Sequence, residues 1–553
     1  MPLMITLSTL GLLFPIILPT QLSFLTISLK MPQNLIIAAF SLRRTALKLY
    51  VTKAFTPKSS SRYDGLSMTM IKPVINLISC PLAYIFNSMT QTGIFPDSLK
   101  IAKVIPIHKS DSKLDIKNYR PISLLPTVSK IFEKLLYNGI YNFLVSHNLL
   151  CEQQYGFRKK CSTLLALLDM HNDISKSFDN KALSLGIFLD LSKAFDVINH
   201  DILLQKLSYY GICGLPLMLI ESYLSNRKQF VRINGVDSSM SNVICGVPQG
   251  SILGPLFFIV FINDVVYCSN ILQFILYADD TNVFLTTTDI TAAVNIVNVE
   301  LEKLSKWFKA NRLMLNASKS CFIIFKNNKS SALNINDNMC IKIDNTALKQ
   351  VNNTKFLGVV IDSNLSWSYH IDYVAMTLSR VAGVLNRVKF VLPQSALMKI
   401  YYSLFYSNLL YCLLIWGNAD SKFINRIQIL QNRALRAVSK ASYRSSTNPL
   451  YIKLKCLKLN ELYSYHLAIF FFKLYNGYLP SVCNKYMITS SGSNTYNLRA
   501  HTVHNLAKTA CRQRHIMTTG PILWDSIPSD IKNVKNLSTF KTKVFIWLHS
   551  KYN

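Results

Sequence analysis

The chain has 553 residues, 50% of them apolar, and carries 60 Lys and Arg against 28 Asp and Glu for a net charge of +32. That length and apolarity suit roughly two to four domains with packed cores and exclude a disordered chain. The basic excess suits a polyanion such as nucleic acid, whose neutralised phosphates release counterions; a generally basic protein or an anionic membrane surface are the alternatives.

Residues 1–29 contain no charge. Their length allows a membrane span, but Pro2, Pro15 and Pro19, many Ser and Thr, and the lack of a basic start argue against a span and a signal peptide. Three readings stand, in order: an upstream extension outside the ancestral domain, a span or anchor, and a signal peptide. A basic patch, Arg43, Arg44 and Lys48, closes this leader at about residue 50.

Residues 51–365 alternate short β-rich runs with amphipathic helices. SSSRYDGLSMTMIK (59–72) reads as a turn and then a helix running through Asn87. IAKVIPIHK (101–109) and YRPISLL (119–125) read as strand, polar connection and strand. Residues 127–145 put apolar side chains at 131, 135, 136 and 140, one face of a helix, with Thr127 or Ser129 as candidate caps. The twelve cysteines are scattered, with no C-x-x-C pair and no zinc-ligand spacing, as expected of reduced thiols in a cytosolic or nuclear protein.

Three motifs carry chemistry. In SLGIFLDLSKAFDVINHDILLQKL (184–207), a buried-strand run Leu185–Leu189 ends at Asp190, and the chain then turns into a helix. Asp190 is there a candidate metal ligand or an ordinary helix cap. In GVPQGSILGPLFFIVFINDV (246–265), glycines and prolines shape a loop ahead of a strongly apolar helix, and glycine lets backbone approach a base or sugar closely. In ILQFILYADDTNVFL (271–285), two β-runs flank the turn Tyr277-Ala278-Asp279-Asp280. Adjacent aspartates repel unless a cation compensates them, whereas a plain polar turn normally offers Asn-Gly or Asp-Gly. Together the motifs set three carboxylates at neighbouring strand ends, a donor set for Mg²⁺ in phosphoryl transfer.

FLDLSKAFD, GVPQGSILGPLFF and YADD, in that order, resemble the palm motifs of reverse transcriptases. The wider wording resembles non-LTR (LINE-type) retrotransposons of the jockey, CR1 and L2 kind. The likeness includes NYRPISLLPTVSKIFEKLL (118–136), QQYGFRKKCST (153–163), LMLNASKS (313–320) and KFLGVVID (355–362), and runs from about residue 55 to the C-terminus. It implies an α+β right-hand polymerase: fingers over 51–183, a ferredoxin-like palm over 184–365, a helical basic thumb over 366–445, and a mixed nucleic-acid-binding region over 446–553.

The same resemblance implies an RNA-directed DNA polymerase using an RNA template, a DNA primer, dNTPs and two Mg²⁺ ions, with Mn²⁺ as a substitute. Asp190, Asp279 and Asp280 would bind the metal, and Phe195 would exclude a ribose 2′-OH. Gln249 and Gly250 would line the nucleotide and template pocket, and Arg120 and Lys109 would hold the triphosphate. Lys319 would protonate pyrophosphate, with a solvated loop lysine as the alternative. Arg158 would contact template or nucleotide, with a place in the core as the alternative. Phe356, Leu357 and Gly358 would form the primer grip.

Residues 376–444 hold ten Lys or Arg and one acid, Asp420. Within 422–441, Phe423, Ile427, Leu430, Ala434 and Val438 form an apolar stripe, while Arg426, Arg433 and Lys440 recur on another face. That face suits a duplex backbone, or is simply solvated. Tyr496, Arg499, His501, Arg512, Arg514 and Trp524 suggest RNA contacts by charge and stacking. Relatives of this kind usually carry an endonuclease ahead of the polymerase, and fewer than sixty residues precede the likeness here, so a truncated copy without that nuclease is expected. A catalytically silent relic that at most binds nucleic acid is the other reading of function. An RNA-dependent RNA polymerase fits less well, because Phe195 would not be expected beneath the sugar. The expected location is nucleus or cytoplasm, with membrane association through 1–29 not favoured.

Overall fold

A computed structural model describes residues 44–57, 62–109, 112–327, 340–487 and 507–552. The uncharged leader, Arg43, Tyr496, Arg499 and His501 lie outside the described residues.

The centre is a sheet whose chain order is legible as β-α-β-β-α-β. Strand Leu183–Leu189 is followed, after two intervening helices, by helix Gly254–Ile262. The hairpin strands Gln273–Tyr277 and Asp280–Thr287, helix Ile290–Ala310 and strand Cys321–Phe325 complete the series. Side by side, the strands run Cys321–Phe325, Leu183–Leu189, Asp280–Thr287, Gln273–Tyr277, antiparallel throughout, with the short strand Lys349–Gln350 added in parallel outside Cys321–Phe325. This is the ferredoxin-like arrangement expected of the palm.

Both faces of this sheet are covered, so its strands read as apolar runs rather than as alternating ones. Leu183, Leu185, Ile187 and Leu189 point into one core, with helix Gly254–Ile262 and the fingers helices. Phe188, Ile275, Phe284, Ile323 and Phe325 point into a second core, shared with the thumb and the C-terminal helices. Alternation with period two thus survives in direction though not in polarity. Gly186 marks the tightest point, since a Cβ there would lie 2.8 Å from the rings of Phe284 and Phe325.

The fingers place helices Met68–Thr92 and Thr127–Ser146 behind an antiparallel hairpin, Ala102–His108 with Tyr119–Leu124. The positions 131, 135, 136 and 140 are buried as their spacing requires. The proposed caps are not caps. Pro126 occupies the N-cap, the Thr127 hydroxyl donates to the Leu66 carbonyl at 2.8 Å, and the Ser129 hydroxyl donates to Glu133 at 3.2 Å. Strand Arg227–Ile233, which lies in sequence between the palm motifs, leaves the palm and pairs in parallel with Ala102–His108. Helix Met68–Thr92 is long and apolar enough to cross a membrane, but Met68, Ile71, Ile75, Leu82 and Phe86 are buried against the fingers.

In the thumb, helix Ser421–Val438 packs on helix Ser368–Val388. Ile427, Ala434 and Val438 of the expected stripe are buried, while Phe423 and Leu430 are half-buried. Lys440 does not continue the basic face: the helix stops at Val438, and Lys440 has a left-handed backbone with φ of 55°. Where the sequence suggested a mixed region over 446–553, its described residues form helices, chiefly Leu459–Tyr475, Ile516–Ser526 and Leu537–His549, and no strand. They fuse with the thumb core, and a Cβ on Gly520 would sit 2.0 Å from the Phe471 ring.

Candidate active site

The register of the palm sheet brings the three aspartates together. Leu189 pairs with Thr281 and Tyr277 pairs with Asp280. The next residue after Leu189 is Asp190, which therefore emerges opposite Asp280 at the same sheet end. The turn itself is two residues, Ala278 and Asp279, and Ala278 takes a left-handed φ of 55° without being glycine. Asp190 does not lead directly into a helix as expected. A run of turns follows it, and the helix His200–Tyr209 starts ten residues on, capped by Asn199, whose side chain accepts the Ile202 amide at 3.0 Å.

The side chains of Asp279 and Asp280 stay open to solvent on one side, with protein mass behind them. Loss of bulk water, then repulsion from Asp279 and Asp190, pushes Asp280 up to about 6, and Lys109 opposes the rise. Asp279 is also raised, first by burial and further by Asp190, with Arg120 and Lys109 acting against it. So Lys109, just past the first strand of the fingers hairpin, and Arg120, on the second, lie near enough to this acidic end to favour its ionised form. Among the described residues, no three acidic, His or Cys side chains are gathered tightly enough to clasp a metal as they stand. The donor chemistry nevertheless fits a hard divalent cation, because these are mutually repelling carboxylates whose ionised form needs a counter-charge.

Next to Asp190 lies the loop that carries Lys319. The Asn316 amide donates to the Asp190 carbonyl at 2.8 Å, and the Asp190 amide donates to the Ser320 hydroxyl at 3.1 Å. Lys319 is exposed on that loop, and it is not among the charges that shift Asp279 or Asp280.

Phe195 lies on the turns after Asp190. Its ring stacks on Phe258 at 4.6 Å and meets the exposed Phe157 edge-on at 6.1 Å. The glycine-rich loop closes around it: the Val247 amide donates to the Phe195 carbonyl at 2.9 Å, and Gln249 donates to Asp196 at 2.8 Å. On its other side the loop holds the fingers, where the Ser123 amide donates to the Gln249 carbonyl at 2.7 Å. Gly250, with φ of 121°, could carry no side chain, since a Cβ would lie 2.6 Å from the Ser123 carbonyl oxygen.

Phe356, Leu357 and Gly358 form the tip of a tight hairpin, Asn353–Phe356 with Val359–Asp362. Leu357 and Gly358 have φ of 46° and 81°, and Tyr411 of the thumb donates to the Leu357 carbonyl at 2.6 Å. Phe356 itself is buried, 5.9 Å from Phe188 of the central strand, so it anchors the tip rather than projecting from it.

Other expected contacts are turned inward. Arg158 spends one guanidinium nitrogen on its own loop, donating to the Cys151 carbonyl at 2.5 Å. Arg426 and Arg433 are both exposed, and Arg426 is ion-paired at the surface with Asp372. Arg512 donates to Asn172 at 2.8 Å and to Ser175 at 3.2 Å, Arg514 pairs with Asp420 at 3.1 Å, and the Trp524 ring lies 5.1 Å from Tyr475. These three tail residues, read from the sequence as suited to RNA contacts, also make contacts within the protein. All twelve cysteines are free thiols.

Two structural groups escaped sequence inspection. Glu133 is fully buried, and its carboxylate accepts the Ile252 amide at 2.6 Å, holding the glycine-rich loop; burial pushes its pKa up, and the charge of buried Arg227 works against that. Gln154, 2% exposed, accepts the Ala278 amide at 2.9 Å in the acidic turn. Scarcity of acids could have flagged Glu133, as an acid within an apolar helix face. Nothing local flags Gln154.

Residues 107–361 match the family described as reverse transcriptase (RNA-dependent DNA polymerase). The chain is 30% identical over 393 residues to the RNA-directed DNA polymerase from mobile element jockey of Drosophila melanogaster, covering 69% of this chain and 42% of that one. It is 29% identical over 436 residues to the probable RNA-directed DNA polymerase from transposon BS of Drosophila melanogaster, covering 75% of this chain and 46% of that one. The chain thus spans less than half the length of these curated relatives. A telomerase from Candida albicans, solved with a fragment of telomeric RNA, overlaps 69% of this chain and 66% of its own at 13% identity, with a TM-score of only 0.35.

Proposed function

We propose that this chain, whose residues 107–361 match the reverse transcriptase family and whose sequence is similar to the polymerases of non-LTR retrotransposons, copies RNA into DNA by nucleotidyl transfer at Asp190, Asp279 and Asp280. The observation that carries this reading is the register of the central sheet, which aligns Asp190 opposite Asp280 beside the Asp279 turn.

Asp190, Asp279 and Asp280 would hold Mg²⁺, with Mn²⁺ as a substitute. When bound, the cations activate the primer 3′-hydroxyl and neutralise charge on the departing pyrophosphate. Arg120 and Lys109 present positive charge toward the same end, where a triphosphate would lie. The 3′-oxygen attacks the α-phosphorus, the bond to the bridging oxygen of the β-phosphate breaks, and pyrophosphate leaves. Lys319, on the loop beside Asp190, is the candidate donor of a proton to that leaving group. Phe195 is the floor beneath the sugar, Gln249 and Gly250 shape the pocket between palm and fingers, and Leu357–Gly358 offer a tip to the primer. Arg158 would reach template or nucleotide with the nitrogens its loop does not use. Arg426 and Arg433 would follow the duplex backbone.

Extension of a DNA primer on an RNA template tests this reading. The chain should incorporate dNTPs with Mg²⁺, and Asp279→Ala should lose synthesis while retaining RNA affinity. A wild-type chain that extends nothing, or an Asp279→Ala chain that still synthesises, overturns it.

A further inference from the structure

The acidic turn is held from beneath by the loop around Gln154. Residues 153–156 run against the hairpin strand Gln273–Tyr277. The Leu276 amide donates to the Gln153 carbonyl at 2.9 Å, and the Tyr155 amide donates to the Leu276 carbonyl at 2.8 Å. Between them Gln154 turns its carboxamide oxygen under the turn, where it accepts the amides of Gly156 and Ala278 at 2.8 and 2.9 Å. Gly156 is pressed so closely to the turn that a Cβ would lie 2.2 Å from the Ala278 nitrogen. Ala278 is 5% exposed, so its amide has no water to turn to. Without the Gln154 oxygen, a buried donor would be orphaned in a residue already in left-handed backbone.

The loop is itself anchored. Tyr155, next to Gln154, donates its phenol hydroxyl to Asp169 of helix Thr163–Asp179. The same carboxylate accepts the Tyr486 hydroxyl at 3.2 Å and is ion-paired with Lys485. Asp169, Tyr155 and Tyr486 are all buried. A buried carboxylate is tolerated only when its oxygens are filled by donors, and here two of the three donors come from the segment after helix Leu459–Tyr475.

We propose that Gln154 is a positioning residue for the metal-binding turn, and that Asp169 is the hub through which the C-terminal segment around Lys485–Tyr486 holds Gln154 in place. The proposal rests on the polymerase reading for its consequence, but the linkage is physical and can be read without turnover. It gives the C-terminal region a task other than contacting RNA, namely fixing two of the three metal-binding carboxylates. Partners that orient metal ligands from outside are worth about 10–100-fold in affinity or activity.

The test compares the full chain with Gln154→Met, which keeps size and loses the acceptor, and Tyr486→Phe, which deletes one hydroxyl and keeps the ring. In each folded protein, hydrogen exchange of the Ala278 amide is measured by mass spectrometry without metal, followed by single-nucleotide extension across Mg²⁺ concentrations. Gln154→Met should speed exchange, raise the Mg²⁺ concentration for half-maximal rate and lower kcat by about 10–100-fold, with dNTP KM and RNA affinity unchanged. Tyr486→Phe should do the same more weakly, and the double variant should be no worse than Gln154→Met alone. Unchanged exchange in Gln154→Met overturns the positioning role. A Tyr486→Phe chain that loses RNA affinity while exchange stays constant overturns the hub, as would additive effects in the double variant. If the wild-type chain polymerises nothing, the polymerase reading fails, and the exchange comparison still decides the linkage.

Discussion

Gln249 donates a hydrogen bond to Asp196 at 2.8 Å, which locks the glycine-rich loop to the residue directly after Phe195. Phe195 is therefore fixed on two sides, by this clamp and by its stack on Phe258, whose side chain is completely buried. A ring that cannot retreat is a steric filter. Phe195→Ala should admit ribonucleotides, lowering the preference for dNTP over rNTP by about 10–100-fold, as read from the ratio of kcat/KM values. Unchanged sugar selectivity would remove Phe195 from this role.

The crowding of Asp280 has consequences for pH. A carboxylate raised from 3.8 to about 6 holds its proton longer in the folded chain than in the unfolded one. Its ionised form thus costs stability as pH rises from about 4 to 6, and the full cost is present above 6. Asp280→Asn should therefore stabilise the metal-free protein at pH 7 by about 1 kcal/mol after solvent screening, seen as a higher Tm, and leave its stability unchanged at pH 3.5. Metal affinity in the wild type should climb through pH 6 as the proton is released. Calorimetric melting at the two pH values checks the first, and Mn²⁺ titration the second.

Glu133 and Arg227 are a buried acid and base within the fingers, and Glu133 also reaches the glycine-rich loop. Glu133→Ala leaves the Ile252 amide without its acceptor and the Arg227 charge without its counterweight. A loss of about 3–5 kcal/mol is expected, seen as a lower denaturant midpoint. A variant as stable as the wild type would show that the pair is not electrostatically coupled.

On the thumb, Arg433 and Arg426 are both exposed, and Arg426 is held by Asp372. Arg433→Ala should weaken duplex binding evenly across sequences and flatten the salt dependence of log K by about one unit of slope. Arg426→Ala should change that slope less, because its charge is already part-neutralised. Equal slopes for both variants would contradict the distinction.

Much of this architecture was readable in the residues. The palm strands announced themselves as apolar runs, and the acids at their ends stood out in a chain where acids are scarce. What stayed hidden was decided by partners distant in sequence. Gln154 and Ala278 are 124 residues apart, and a glutamine two residues before a glycine looks like any polar loop. Lys440 was misread because heptad spacing carries no information about where a helix ends; the left-handed turn beyond Val438 removes it from the face. Arg512 looked free because Asn172 and Ser175, its partners, sit on a helix more than three hundred residues earlier.

The strand Leu183–Leu189 sends Leu183, Leu185, Ile187 and Leu189 to one side and Phe188 to the other, which makes it a party wall between two dwellings. Neither household can be demolished without leaving the wall bare to the weather. Cutting the chain back to the matched segment 107–361 would strip Phe188, Phe284, Ile323 and Phe325 of their thumb and tail neighbours. The smallest piece worth expressing is therefore set by the shared wall, and extends well past the last motif of the polymerase.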